Sequence, residues 1–188
     1  KLPTVTLPTV QTVMTTFFRS FTNCSKLRAI NNMQPFNSVA NLGNAFDNCV
    51  VLSTLNNTDQ LGDTTTGVDL TSGYAGCYSL NPAGGLRVRN KITGRFVLAG
   101  VDTNNKAALQ ALLVTNPAAV STWAGASPQI DVSYCSMEAA ALNALFTSII
   151  ATSASFSGKT IRITGNPGAA TCDTTIITNA GGTVNKTT

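Results

Sequence analysis

The side chains that carry most protein chemistry are sparse in this chain and far apart. Histidine is absent, which removes the commonest general base and a common metal ligand. The acidic residues are scattered: Asp47, Asp59, Asp63, Asp69, Asp102, Asp131, Glu138 and Asp173. Asp59 and Asp63 are spaced to share a calcium ion, but the dense run of oxygen ligands that calcium loops use is missing around them. No phosphate loop, nucleophile elbow or dinucleotide fingerprint occurs. The five cysteines are Cys24, Cys49, Cys77, Cys135 and Cys172. Their odd number leaves at least one thiol unpaired within a monomer, and no C-x-x-C spacing supports a zinc or thioredoxin-like site. A cysteine nucleophile needs a base beside it, so these thiols read as structural. The expectation is therefore no catalytic residue, no metal, no cofactor and no enzyme.

Binding chemistry has one clear candidate. Arg87, Arg89 and Lys91 alternate with other residues, and Arg95 follows. In a strand that alternation puts the first three on one face. Such a face would meet an acidic protein, an anionic glycan or a phosphate. The competing reading is a solvated edge strand whose charge blocks aggregation. Trp123, Tyr74, Tyr78 and Tyr134 are the aromatics that would stack on sugars, with the core as their alternative place. Asn23, Asn56 and Asn185 begin N-x-[ST] sequons, which a chain this rich in Asn and Thr contains by chance.

Composition sets the frame for these residues. The chain has 188 residues, 43% of them hydrophobic and only 11% charged. That suits one folded domain with a polar surface made mostly of Thr, Asn and Ser, as in extracellular or virion proteins. A net charge of +4 is too small to point to nucleic acid. No apolar run reaches the roughly 18 residues that span a membrane, and no signal-peptide pattern occurs.

The elements that position these residues come from a repeat. Phe21, Cys24 and Leu27 recur as Phe46, Cys49 and Leu52, then as Tyr74, Cys77 and Leu80, in steps of 25 and 28 residues. The first two copies add Ile30-Asn31 and Leu55-Asn56, and Phe17, Leu42 and Leu70 each precede the aromatic by four residues. An apolar residue and an aromatic four apart share one face of a helical turn. Cysteine then turns inward as a small hydrophobe, and leucine leads into a short strand. One unit cannot close a core, but stacked units cover each other. The nine core-facing residues are thus Phe21, Cys24, Leu27, Phe46, Cys49, Leu52, Tyr74, Cys77 and Leu80. The three cysteines should stack as reduced thiols, with neighbours about 5 Å apart at strand spacing. A Cys49→Ser change should then cost roughly 1–3 kcal/mol by stranding a hydroxyl.

This aromatic-x-x-Cys-x-x-Leu-x-x-Leu core resembles the BspA-like class of leucine-rich repeats over roughly residues 10–81. The segment Phe36-Asn37-Ser38-Val39-Ala40-Asn41-Leu42 matches the run that precedes it there. The third copy departs, since Leu80 is followed by Asn81-Pro82. The resemblance implies an α/β solenoid of short helical or turn segments alternating with short parallel strands.

Beyond residue 82 the pattern breaks. The alternation over 86–92 and the run 95–98, with Thr93-Gly94 between them, predict a β-hairpin near 86–98 inside an insertion at about 82–106. A looser repeat then runs from about 107 to 184. In it Ala108-Leu109-Gln110-Ala111-Leu112-Leu113 matches Ala141-Leu142-Asn143-Ala144-Leu145-Phe146, and Ile130-Asp131-Val132 matches Ile161-Arg162-Ile163. Each unit reads as a helix, a loop and a strand, with Ser136 as N-cap of a helix over 137–150 and Glu138 in its first turn. Parallel strands are expected at 28–31, 53–56, 130–132 and 161–164, all within a single domain over 1–188.

Residues 135–184 resemble a C-terminal module of phage-encoded leucine-rich-repeat structural proteins. That resemblance implies a non-enzymatic protein of the virion surface, either a capsid decoration or a fibre or spike component. It would bind other virion proteins and associate with itself, with no nucleic acid or membrane partner. The same repeat also serves bacterial cell-surface adhesins, which would bind host protein or glycan.

Overall fold

The computed structural model describes residues 4–7, 16–31, 41–55, 71–80, 86–88, 96–97, 112–114, 127–151 and 156–187. It is a mixed α/β structure in which every strand pairing among the described residues is parallel. Strands β1 (Thr4–Thr6), β2 (Ala29–Asn31) and β3 (Thr54–Leu55) form one sheet in chain order. Strand β4 (Leu86–Val88) pairs with β6 (Leu112–Val114). Strands β5 (Phe96–Val97), β7 (Ile130–Asp131), β8 (Thr160–Arg162) and β9 (Thr183–Asn185) form the third sheet, in that order. Helix α1 (Ala139–Ala151) connects β7 to β8, while a 3₁₀ helix (Pro167–Ala170) and the short α2 (Thr175–Thr178) connect β8 to β9.

Strands β2, β3, β7 and β8 fall within a residue or two of the sequence-based expectation, and they pair in parallel as expected. Ile30 and Ile161 are the buried centres of their strands. Their flanking polar residues stay half-buried because successive side chains point to opposite faces.

Three turn layers, two between the strands of the first sheet and one after β3, lie on one another. Phe17, Phe21 and Asn23 donate backbone N–H bonds to the carbonyls of Asn41, Ala45 and Asp47 at 2.8, 2.9 and 2.8 Å. Asn44, Phe46 and Asn48 repeat this with Thr71, Gly73 and Ala75 at 2.9, 2.9 and 2.8 Å. All these bonds run the same way, with N–H pointing forward along the chain and C=O pointing back. Left-handed backbone recurs in the same register, at Arg19, Asn44 and Ser72 and at Asn23, Asn48 and Gly76. A non-glycine residue rarely accepts that conformation, and Asn does so most readily. Its recurrence at steps of 25 and 28 shows that the three layers share one backbone path.

Two expectations are corrected. The hairpin near 86–98 does not form, because β4 and β5 lie in different sheets and each pairs in parallel with a later strand. A parallel partner needs a crossover of about a dozen residues or more, and the short link between β4 and β5 does not provide one. The alternating Arg and Val pattern instead marks another short strand, with its partner 26 residues on (Leu86 opposite Leu112). The matched hexapeptides also part company: Ala141–Phe146 lies inside α1, whereas Leu112 and Leu113 belong to β6. A short apolar run does not choose between helix and strand by itself, and here the neighbouring strand chooses.

Helix α1 buries Ala141, Leu142, Leu145, Phe146 and Ile149, a stripe at helical spacing. It starts two residues later than the sequence suggested. The Glu138 carbonyl accepts the Leu142 N–H at 3.0 Å, so Glu138 holds the capping position. Ser136 is left-handed, with φ 53°, and an N-cap needs extended backbone. The 3₁₀ helix approaches so closely that a Cβ on Gly168 would sit 2.1 Å from the Ala139 nitrogen. Only glycine fits there.

Candidate functional site

The basic run is positioned by its backbone alone. Arg87 is the central residue of β4 and pairs with Leu113 of β6. Arg89, Lys91 and Arg95 lie outside the described residues, as do Asp59, Asp63, Asp69, Asp102 and Trp123. Among the described residues no group of three His, Cys, Asp or Glu side chains is placed to hold a metal ion. Tyr78 is half-buried. Tyr134 is exposed, and its ring lies against Gly165, where a Cβ would come within 2.3 Å of it.

Seven of the nine core-facing residues named from the sequence form a layered interior, and Phe21 and Cys24 border it. Phe17 and Phe21 stack at 6.2 Å between centroids, Phe21 and Phe46 at 5.6 Å, and Phe46 and Tyr74 at 5.4 Å. Beside this ring column runs a thiol column. Cys49 Sγ donates to the Phe21 carbonyl at 2.9 Å, and Cys77 Sγ donates to the Phe46 carbonyl at 3.0 Å. Each cysteine thus reads the aromatic of the layer before it. Leu27, Leu52 and Leu80 are buried, while Phe21 and Cys24, in the first of the three layers, are only half-buried.

All five cysteines are free thiols. Burial pushes the Cys49 thiol up to about 11 and raises the Cys77 thiol further. Burial also raises the Cys172 thiol. A protonated thiol bonded to a carbonyl is a poor nucleophile, so these residues pack and donate.

The carbonyl partner corrects one expectation. A serine at position 49 is also a hydroxyl donor facing the Phe21 carbonyl, so it is not stranded. Cys49→Ser should cost only about 1 kcal/mol, from lost sulfur packing, as read by urea denaturation. A loss above roughly 3 kcal/mol, the scale of an unsatisfied buried group, would show that the carbonyl is out of reach.

A polar centre that the sequence reading did not single out lies beneath α1. Asn166 is buried. Its Oδ1 accepts the N–H groups of Cys135 and Met137 at 3.1 and 3.0 Å, and its Nδ2 donates to the carbonyls of Val132 and Ile163 at 2.9 and 2.8 Å. One side chain therefore ties the loop before α1 to the turn after β8. The signal in the sequence was slight: an asparagine just past a strand, in a segment read only as a turn.

Asp131 is also buried, held by the Ser133 N–H at 3.1 Å, the Ser133 hydroxyl at 2.7 Å and Arg162 at 3.4 Å. Asn185 and Asp173 make the same two-residue turn with Thr187 and Thr175. Asn185, a sequon residue, thus uses its side chain locally. These carboxylates and amides order turns.

No family model, characterised protein or solved structure matches this chain.

Proposed function

We propose that the chain is a leucine-rich-repeat solenoid of the BspA-like kind. On this reading it serves as a non-enzymatic structural protein of a virion surface, as a capsid decoration or a fibre or spike component. The observation that carries it is the layered column of rings and thiols, in which repeated side chains are spent on packing successive layers. A stack of this kind is a rigid surface that binds by shape along its length. The sparse charge of the chain suits many weak contacts summed on a symmetric particle.

The basic strand through Arg87 is the proposed docking face for an acidic neighbour. Positive charge there would steer the encounter. Reversing Arg87, Arg89 and Lys91 to glutamate should lower occupancy on gradient-purified particles by roughly tenfold or more, a modest sum for three charged contacts. The isolated fold should be unchanged by circular dichroism. Undiminished occupancy would remove that face. Wild-type protein found with the cell envelope and absent from particles would favour the adhesin reading.

A further inference from the structure

The turn that follows β7 is repeated after β8, and one residue in it does not suit its backbone. Ile130 pairs with Ile161 and Asp131 with Arg162. The same register brings Tyr134 beside Gly165, and Tyr134 donates its N–H to the Thr164 carbonyl at 2.8 Å. Both residues are left-handed, with φ 55° at Tyr134 and 72° at Gly165. Glycine takes that conformation freely, whereas a bulky side chain in it is an outlier. One backbone path is thus filled by the residue that suits it in one turn and by a strained tyrosine in the other. Strain of this kind gathers where a side chain serves a ligand.

The ring is displayed, not buried. A Cβ on Gly165 would meet Cδ1 and Cε1 of Tyr134 at 2.3 Å each and Cγ at 3.0 Å. An edge-on ring would hold Cγ much farther off, so it is the face of the ring that covers Gly165. With that face on bare backbone the residue is still 38% exposed, through its other face and its hydroxyl. Phe18 is the other exposed large hydrophobe among the described residues, but the Arg19 guanidinium lies over its ring, 5.0 Å from the centroid. Tyr74 is inside the aromatic column and Tyr78 is half-buried. The neighbours of Tyr134 across the ladder and two residues on are uncharged. Ser136 is half-buried, and Thr187, whose carbonyl accepts the Thr164 hydroxyl at 2.8 Å, is exposed.

From this we propose that Tyr134 is a stacking platform for the ring of a neutral sugar. A pyranose such as galactose or glucose has a face of C–H groups, which packs on the negative face of an aromatic ring. Its hydroxyls stay with water and with the polar rim. An aromatic anchor for a protein sits amid a broad contact patch of about 800 Å², whereas one ring with a polar rim suits a ligand the size of a sugar. The absence of charge in that rim favours a neutral sugar over an anionic one. A single ring binds weakly, near the millimolar end of specific affinity, and many copies of the chain on one support would sum such contacts. The proposal rests neither on a virion location nor on the basic face at Arg87.

Saturation-transfer NMR on the whole chain tests it, with lactose, cellobiose and N,N′-diacetylchitobiose as probes at about 10 mM, above the millimolar affinity expected. At least one of these sugars should receive saturation on its ring C–H protons, and its titration should shift the Tyr134 ring signals. Tyr134→Trp should keep the transfer. Tyr134→Asn should lower it by roughly tenfold or more, the scale of one lost aromatic contact. The asparagine variant should melt no lower than wild type, because asparagine accepts left-handed backbone more readily. A ring that serves only to cover Gly165 would leave the variant less stable and wild type without a sugar signal. Absence of transfer to all three sugars from wild type overturns the proposal, and so does equal transfer from wild type and Tyr134→Asn. Lower occupancy of Tyr134→Asn on particles, with no sugar signal in wild type, would make the ring a protein contact and also overturns it. Should the asparagine variant fail to fold, the shift of the wild-type Tyr134 ring signals on titration decides alone.

Discussion

Asn166→Ala should destabilise the protein by about 4 kcal/mol or more. The side chain satisfies two backbone N–H groups and two carbonyls in the interior, and each buried group left alone costs roughly 1–3 kcal/mol. Against a typical total of about 5–15 kcal/mol, that brings the chain close to unfolding at room temperature. Asn166→Asp should be no milder. It keeps the acceptor oxygen for Cys135 and Met137, but it sets a second oxygen against the carbonyls of Val132 and Ile163. Urea denaturation of the two variants reads this directly. A loss under about 1 kcal/mol in both, the value of a single ordinary hydrogen bond, would mean that the four bonds do not hold the structure.

Phe46→Ala should cost about 3–5 kcal/mol, the usual range for deleting a buried aromatic. Its ring lies between those of Phe21 and Tyr74 and is fully buried, so the gap falls inside the column and two neighbours lose a stacking face. Phe21→Ala should cost clearly less, because that ring is only half-buried. The order of the two losses matters more than either value. Equal losses in thermal or chemical denaturation would contradict the difference in burial between the two rings.

What was legible in the sequence follows from distance. The aromatic, cysteine and leucine columns could be read because each layer repeats its neighbour's residues, so side chains that meet in space are marked by identity and spacing. Strands β2 and β3 followed from the same register. Beyond residue 82 that redundancy fails. Arg and Val alternate over 86–92 as they would in a hairpin, and nothing local says that the partner is Leu112–Val114. Two similar hexapeptides became a helix and a strand because tertiary neighbours decide for short apolar runs. Asn166 was read only as part of a turn because its partners, Val132, Cys135 and Met137, lie about thirty residues away. A buried amide shows its role only when all four bonds can be counted. The basic residues were visible at once, but charge alone does not say what they face.

Fold, burial and the non-catalytic reading all rest on the stack of layers with its thiols turned inward. A thiol count tests that stack most directly: the native chain is titrated with a disulfide reagent at pH 8, then titrated again in denaturant, with no reductant at any stage. Burial holds Cys49 up to about 11 and Cys77 higher still, so both should be almost wholly protonated and slow at that pH. The predicted result is five thiols in denaturant and at most one fast thiol, Cys24, in the native protein. Fewer than five thiols in denaturant, or fast native reaction at Cys49 or Cys77, would contradict the layered core.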